Sequence, residues 1–307
     1  MDGVLVVDKP KGLTSHDVVS RVRRALGTKR VGHVGTLDPM ATGVLPLVIG
    51  RATRLATLLS VGPKTYAAVI RLGIVTDTYD VTGSVMSSAP GKTTGADITL
   101  DAIKAASRRF VGTFHQQPPP FSAKKIRGVR AYRLARRRQP VPLSPVEITV
   151  HEFEIQSLEL DRVYCRVSCS PGFYMRALAH DLGQTLGCGA CLESLRREQS
   201  GPFTPDQAVS LTQLGDRSSL TEQSLISIGN LLPELPTVVV TESGLQRVVH
   251  GNVITHADIK IPPLRPSVIG NNPEEVNKVK LYDQNGTLLA IAEAGPGETL
   301  HPRIVLV

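Results

Sequence analysis

The stretch VEITVHEFEIQSLELDRVYCRVSC, residues 146–169, decides the fold. It reads as two long antiparallel strands joined at a polar turn. In the second, Val163, Cys165, Val167 and Cys169 share one face, with Tyr164, Arg166 and Ser168 on the other, the period-two pattern of a half-buried strand. That pattern also bears on the cysteines, which are confined to positions 165, 169, 188 and 191 and so superficially resemble a zinc site. Cysteines on the apolar face of a strand are small buried side chains and need no metal. Disulfides are disfavoured in a reducing compartment.

Working outward, SPGFYMRALAHDLGQTLG (170–187) opens a helix in which Leu178, Leu182 and Leu186 recur every four residues. Arg176 lies near its start, where the helix dipole disfavours a cation. On the other side, TYAAVIRLG (65–73) alternates with Tyr66, Ala68, Ile70 and Leu72 on one face, a strand, and TDTYDVTG (76–83) turns with Asp77 and Asp80 near its bend. A helix is predicted between Asp97 and Gly112, with Ile103 and Phe110 inward. At the amino end GVLVVDKP reads as a strand. Ser15 is the expected cap of a helix with Val18, Val19, Val22 and Leu26 as its apolar stripe and Gly27 as its stop.

Strands and helices without regular βαβ alternation indicate an α+β fold on a largely antiparallel mixed sheet. The chain changes character near LLPELPT (231–237). Beyond it come short strands and the hairpin signal Asn285-Gly286. The expected division is therefore 1–234, including a basic insert at about 115–145, and a small β-rich domain at 235–307.

GHVGTLDPMATGVLPLVIG (32–50) sets one carboxylate, Asp38, among small and apolar residues. An Asp before Pro can start a turn through its side chain, but Gly32, Gly35 and Gly43 also allow a ligand to pass close to the backbone. No phosphate-loop or HExxH pattern accompanies it. No metal site is expected.

The 307 residues carry a formal charge of +8, which favours polyanionic partners. Between Lys9 and Arg30 there are seven basic residues against one acid, and KKIRGVRAYRLARRR (124–138) carries eight with none. Two uncompensated clusters, the second with Tyr132 among its arginines, point to nucleic acid. The amino terminus resembles neither a secretory signal nor a transit peptide, and no window approaches the roughly 20 apolar residues of a membrane helix. A cytoplasmic location is expected.

GHVGTLDPMATGVLPLVIGRATRL (32–55) resembles the catalytic motif of the TruB-type pseudouridine synthases, which isomerise a uridine in the T-loop of transfer RNA, at position 55. VLVVDKPKGLTSHDVVSRVRR, KTYAAVIRLGIVTDTYDVTG, PPPFSAKKIRGVRAYRLARRRQPV and SPGFYMRALAHDLGQTLGCGA continue the resemblance in order over essentially the whole chain. It implies the essential aspartate at Asp38, a tyrosine against the target base at Tyr66 and an arginine paired with the carboxylate at Arg176. His33 matches a residue supporting the reorganised T-loop, Asp77 an acid of the active-site network, and Lys9 and Tyr174 residues near the pocket. Arg133, Arg136 and Arg137 of the basic insert are expected on the RNA backbone.

The terminal domain resembles the PUA type of RNA-binding module. Isomerisation needs neither redox change nor group donor, so no cofactor is expected. The implied partner is the T-arm of tRNA, with no obligatory protein partner and a monomeric enzyme. Two other readings stay open: a guide-RNA-dependent relative, and a non-catalytic tRNA-binding or tRNA-folding protein.

Overall fold

The computed structural model describes residues 1–88, 98–122, 124–126, 129–130, 143–212, 224–261 and 277–307. Ten strands build the main sheet. They are β1 (Gly3–Lys9), β2 (Val31–His33), β3 (Thr42–Ile49), β4 (Lys64–Leu72), β5 (Gly112–Gln116), β6 (Val146–Glu159), β7 (Arg162–Cys169), β8 (Ala190–Ser200), β9 (Ala208–Ser210) and β10 (Ile226–Ser227). Their order is β9-β1-β3-β8-β4-β7-β6-β5, with β10 also on β1 and β2 on β3. Among the described residues β1–β9 and β3–β8 run parallel and the other pairs of this sheet antiparallel. The fold is α+β on a mixed, largely antiparallel sheet.

The register of β7 on β4 sets Val167 against Tyr66 and Cys165 against Ala68. All four cysteines are free and buried. Burial pushes the thiols of Cys165 and Cys169 up to about 12.

Five α-helices are described: α1 (Ser15–Leu26), α2 (Ala56–Ser60), α3 (Leu100–Ser107), α4 (Met175–Leu186) and α5 (Glu242–Val249). The stripe of α1 buries Val18, Val19 and Val22, and Gly27 ends it in the left-handed region at φ 65°. Its cap differs from expectation. Thr14, not Ser15, makes a reciprocal capping box with Asp17, which frees the Ser15 hydroxyl for the loop carrying Asp38.

The sheet is covered on both faces. Leu5 and Val7 of β1 enter one core with Val18, Leu45, Ile70, Leu178 and Leu182, while Val4 and Val6 enter another with Val44, Val48, Leu55 and Leu59. A strand buried on both sides reads as a continuous apolar run, which is why GVLVV does not alternate.

The second core also takes in Leu288 and Ile291, from a five-stranded sheet at the carboxyl end, and Leu306, just past its last strand. That sheet comprises β11 (Thr237–Val240), β12 (Ile259–Ile261), β13 (Lys278–Tyr282), β14 (Leu288–Ala294) and β15 (Leu300–Val305), in the order β12-β11-β13-β14-β15. Its turn is held by Asp283, whose Oδ1 accepts from the N–H groups of Asn285 and Thr287 at 2.9 and 2.7 Å. It has a core of its own around Val238, Val248, Leu281 and Ala290. Arg51 Nη1 donates to Leu306 O at 2.9 Å, and Tyr282 Oη to Gly229 O at 3.1 Å, so the β-rich end is docked on the main sheet.

Candidate active site

Asp38 lies in the loop between β2 and β3, and α1 braces that loop. Leu37 N–H donates to Ser15 Oγ at 2.9 Å and Gly12 N–H to Pro39 O at 2.7 Å. Beneath them the fully buried Lys9 donates through Nζ to Pro10 O at 2.9 Å, Leu13 O at 2.6 Å and Pro39 O at 3.4 Å. Burial lowers the Lys9 ammonium to about 8, although Asp38 pulls the other way. The loop is fixed from both sides of its carboxylate.

Arg176, second residue of α4, meets that carboxylate with two parallel bonds, Nε to Oδ2 at 2.8 Å and Nη2 to Oδ1 at 3.1 Å. Charge-assisted bidentate pairing fixes direction as well as distance. The guanidinium is itself held by Thr78 O at 3.1 Å and Phe121 O at 2.9 Å, with Asp80 Oδ2 3.7 Å from Nε. Its side chain is 6% exposed, against 35% for Asp38. One end of the pair is sealed and the other faces outward. The two carboxylates explain why a cation is tolerated at this helix start.

Asp38 and Arg176 line a pocket of about 220 Å³ together with Gly35, Lys64, Tyr66, Phe173, Tyr174, Leu195 and Arg197. Tyr66 comes from the apolar face of β4 and is 9% exposed. Burial pushes its phenol up, an effect the neighbouring Arg197 guanidinium partly offsets. Arg197 is fully buried and donates through Nε to Val44 O at 2.7 Å and through Nη2 to Gly35 O at 3.1 Å. It can sit there because β8 runs against β3 at Gly43, where a Cβ would overlap the Arg197 backbone. Lys64 Nζ donates to Ser60 O and Gly62 O, both at 2.6 Å, and burial lowers it to about 8. The pocket thus joins an oriented carboxylate, an aromatic face and buried cations bound to carbonyls. Such a set suits chemistry at a sugar carbon beside a planar base.

The family model of the TruB pseudouridylate synthase N-terminal domain matches residues 23–175, and that of the tRNA pseudouridylate synthase B C-terminal domain matches residues 176–234. A protein of Solibacter usitatus named tRNA pseudouridine synthase B is 42% identical over 308 residues, covering 100% of both chains. The chain belongs to the TruB family. A Mycobacterium tuberculosis protein of the same name is 48% identical over 71% of this chain and 74% of its own. Among solved structures, an H/ACA ribonucleoprotein bound to a substrate RNA containing 2′-deoxyuridine matches with TM-score 0.71 and 25% identity, over 99% of this chain and 85% of that one. A Cbf5-Nop10-Gar1 complex matches with TM-score 0.72 and 25% identity, over the same shares of the two chains.

Within this TruB-family pocket the structure brings together Asp38, Tyr66, Arg176 and Tyr174. Gln116 holds Tyr174 at both backbone groups, Tyr174 N–H to Oε1 at 2.8 Å and Nε2 to Tyr174 O at 3.1 Å. Lys9 acts beneath the loop, not in the pocket. His33 ends β2 and is not among the lining residues.

Asp77 needs correction. Its Oδ1 accepts from Ser84 N–H at 2.8 Å in the turn, and the acid against Arg176 is Asp80, three residues on. Both stand at the same bend in TDTYDVTG, and only the placement of α4 separates them. Sequence reasoning also passed over Lys64 and Arg197, whose one signal is that each falls in phase with the buried face of its strand, Lys64 two residues before Tyr66 and Arg197 two after Leu195. Arg133, Arg136 and Arg137 lie outside the described residues.

Proposed function

We propose that this chain isomerises uridine to pseudouridine at position 55 in the T-loop of tRNA. The observation that carries it is the Arg176–Asp38 pair, closed on the arginine side and open beside Tyr66, in a chain 42% identical over its whole length to a protein named tRNA pseudouridine synthase B. Uridine must lose its N1–C1′ bond, rotate and rejoin through C5 while the base stays bound. The Asp38 carboxylate acts at the sugar, as nucleophile, as stabiliser of a cationic sugar or as base toward a sugar proton. Arg176 keeps it oriented, and the Tyr66 ring holds the detached uracil. No redox change or group donor enters, so the route needs no cofactor.

The nucleotide must first leave its stack, which costs a few kcal/mol. Phosphate contacts from the basic segments, including Arg133, Arg136 and Arg137, offset that cost, and His33 supports the rearranged loop. Residues 1–234 then form the catalytic domain and 235–307 a PUA-like RNA-binding domain. The protein works in the cytoplasm as a monomer without an obligatory protein partner.

The test is conversion of an unmodified T-arm RNA by the purified chain, with no guide RNA, read as tritium released from C5 of labelled uridine. Stoichiometric release at the T-loop uridine is expected. Binding without release means a non-catalytic tRNA-binding or folding protein. Release only with a guide and accessory proteins means the kind of assembly named by the solved relatives.

A further inference from the structure

The turn Asp77–Gly83 supplies Arg176 with two of its partners, Thr78 O and the Asp80 carboxylate. Its internal bonds leave little freedom. Asp80 Oδ1 accepts from Thr78 Oγ1 at 3.0 Å, Thr82 N–H at 2.9 Å and Thr82 Oγ1 at 2.5 Å, so Oδ2 faces the guanidinium. One side of the turn is tied to β8, with Leu192 N–H donating to Tyr79 O and Val81 N–H to Leu192 O, both at 3.0 Å.

The other side is tied to α4 by a ring. Tyr79 stacks face to face on His180, centroids 3.9 Å apart and planes 7° from parallel. His180 stands four residues after Arg176, on the same helical face. Its Nδ1 is buried without a hydrogen-bond partner, so hydrogen bonding at that nitrogen does not account for the ring's place. Tyr79 has φ 64°, a backbone state that bulky residues rarely adopt. A side chain retained in that state, on a ring one helical turn from Arg176, indicates a role for the contact itself.

We infer that Tyr79 and His180 are a pair of positioning residues: their stack clamps the Asp77–Gly83 turn on α4, so that Thr78 O and Asp80 hold Arg176 in the geometry that orients Asp38. The inference rests on the proposed reaction for its kinetic consequence, but the clamp itself can be read without catalysis. Opening the stack loosens Arg176 while the basic segments keep their residues. The single-turnover rate then falls while affinity for tRNA holds.

Four variants test it: His180→Ala, His180→Phe, Tyr79→Phe and Tyr79→Gly. Glycine adopts positive φ freely, so Tyr79→Gly removes the ring while relieving the backbone. Single-turnover rates on T-arm RNA should fall about tenfold in His180→Ala and Tyr79→Gly with unchanged Kd, and stay within about twofold of wild type in the two Phe variants. Independently of activity, selectively 15N-arginine-labelled protein, with Arg176→Lys for assignment, should show a slowly exchanging Arg176 Nε–H signal. That signal should persist in the Phe variants and be lost by solvent exchange in the other two. Retention of the signal in folded His180→Ala and Tyr79→Gly overturns the clamp, as does its loss in folded His180→Phe. A wild-type protein that shows the signal but forms no pseudouridine overturns the proposed function and leaves the clamp standing.

Discussion

Replacing Asp38 by Asn should abolish pseudouridine formation in a protein that still folds and binds tRNA. The native carboxylate accepts Arg176 Nε at 2.8 Å and Nη2 at 3.1 Å. Asn has one acceptor oxygen, and its amide donates, so one guanidinium N–H loses its partner. Breaking a fully buried pair costs ~3–5 kcal/mol, whereas exposed pairs contribute about 0.2–1 kcal/mol. Asp38 is 35% exposed, and Arg176 keeps Thr78 O, Phe121 O and the nearby Asp80. The structural cost therefore lies near the lower range, about 1 kcal/mol, or a fall in Tm of roughly 2–4 °C.

The catalytic cost is of another size, because in the proposed reaction the lost charge is the one that acts at the sugar. A drop of at least about a thousandfold is expected, ~4 kcal/mol at 1.36 kcal/mol per decade. Melting curves, filter binding of tRNA and single-turnover tritium release measure the three quantities on one preparation. A folded, tRNA-binding Asp38→Asn within tenfold of the wild-type rate would refute the reasoning and leave Asp38 a turn former. Asp38→Glu should also fail, since one added methylene moves the carboxylate by about 1 Å, and misplacement on that scale costs on the order of a hundredfold.

Replacing Arg133, Arg136 and Arg137 together by Ala should weaken tRNA binding and flatten its salt dependence, the slope falling by about one for each phosphate no longer neutralised; an unchanged slope removes this segment from the RNA interface. Lys64 is lowered to about 8 in the folded protein from 10.5. Between those values the unfolded chain binds more protons at this site, so its contribution to stability rises with pH. Urea unfolding of wild type and Lys64→Met should give a difference that grows in favour of wild type from pH 8 to 10, and a flat difference contradicts the assignment. Cys165→Ser should destabilise by about 1–3 kcal/mol through a buried hydroxyl without a partner, while Cys165→Val should cost less. Loss of a stoichiometric zinc together with folding in either variant would show a metal role instead.

The features legible in the sequence were those written in local period. The stripe of α1, the leucines of α4, the alternation of β4 and β7 and the Asn285-Gly286 turn each depend on residues within a few positions of one another. Where two adjacent candidates could serve, local reading chose between equals. Thr14 and Ser15 both cap helices well, and only the loop at Leu37 decides which hydroxyl is spare. Asp77 and Asp80 share one bend, and the position of Arg176, which no local pattern reports, selects Asp80. The pairing of β3 with β8 is parallel and distant in sequence, so no local pattern reported that Arg197 bonds Gly35 and Val44. In the pocket, Asp38, Tyr66 and Arg176 were marked by motif and pattern, but Lys64 and Arg197 took their places only through long-range packing.

The loop that carries Asp38 is tied to Ser15, Gly12, Lys9, Arg197 and Arg176 by hydrogen bonds within the chain. A receptor so stiff leaves the conformational work to its ligand. Discrimination among uridines then follows from how readily each RNA can evert the nucleotide, since extrusion is cheapest where pairing and stacking are weakest. Selectivity of this kind would be kinetic, set by the RNA's own deformability. Loops of equal sequence but different stiffness should be sorted by rate, even where they bind with the same affinity.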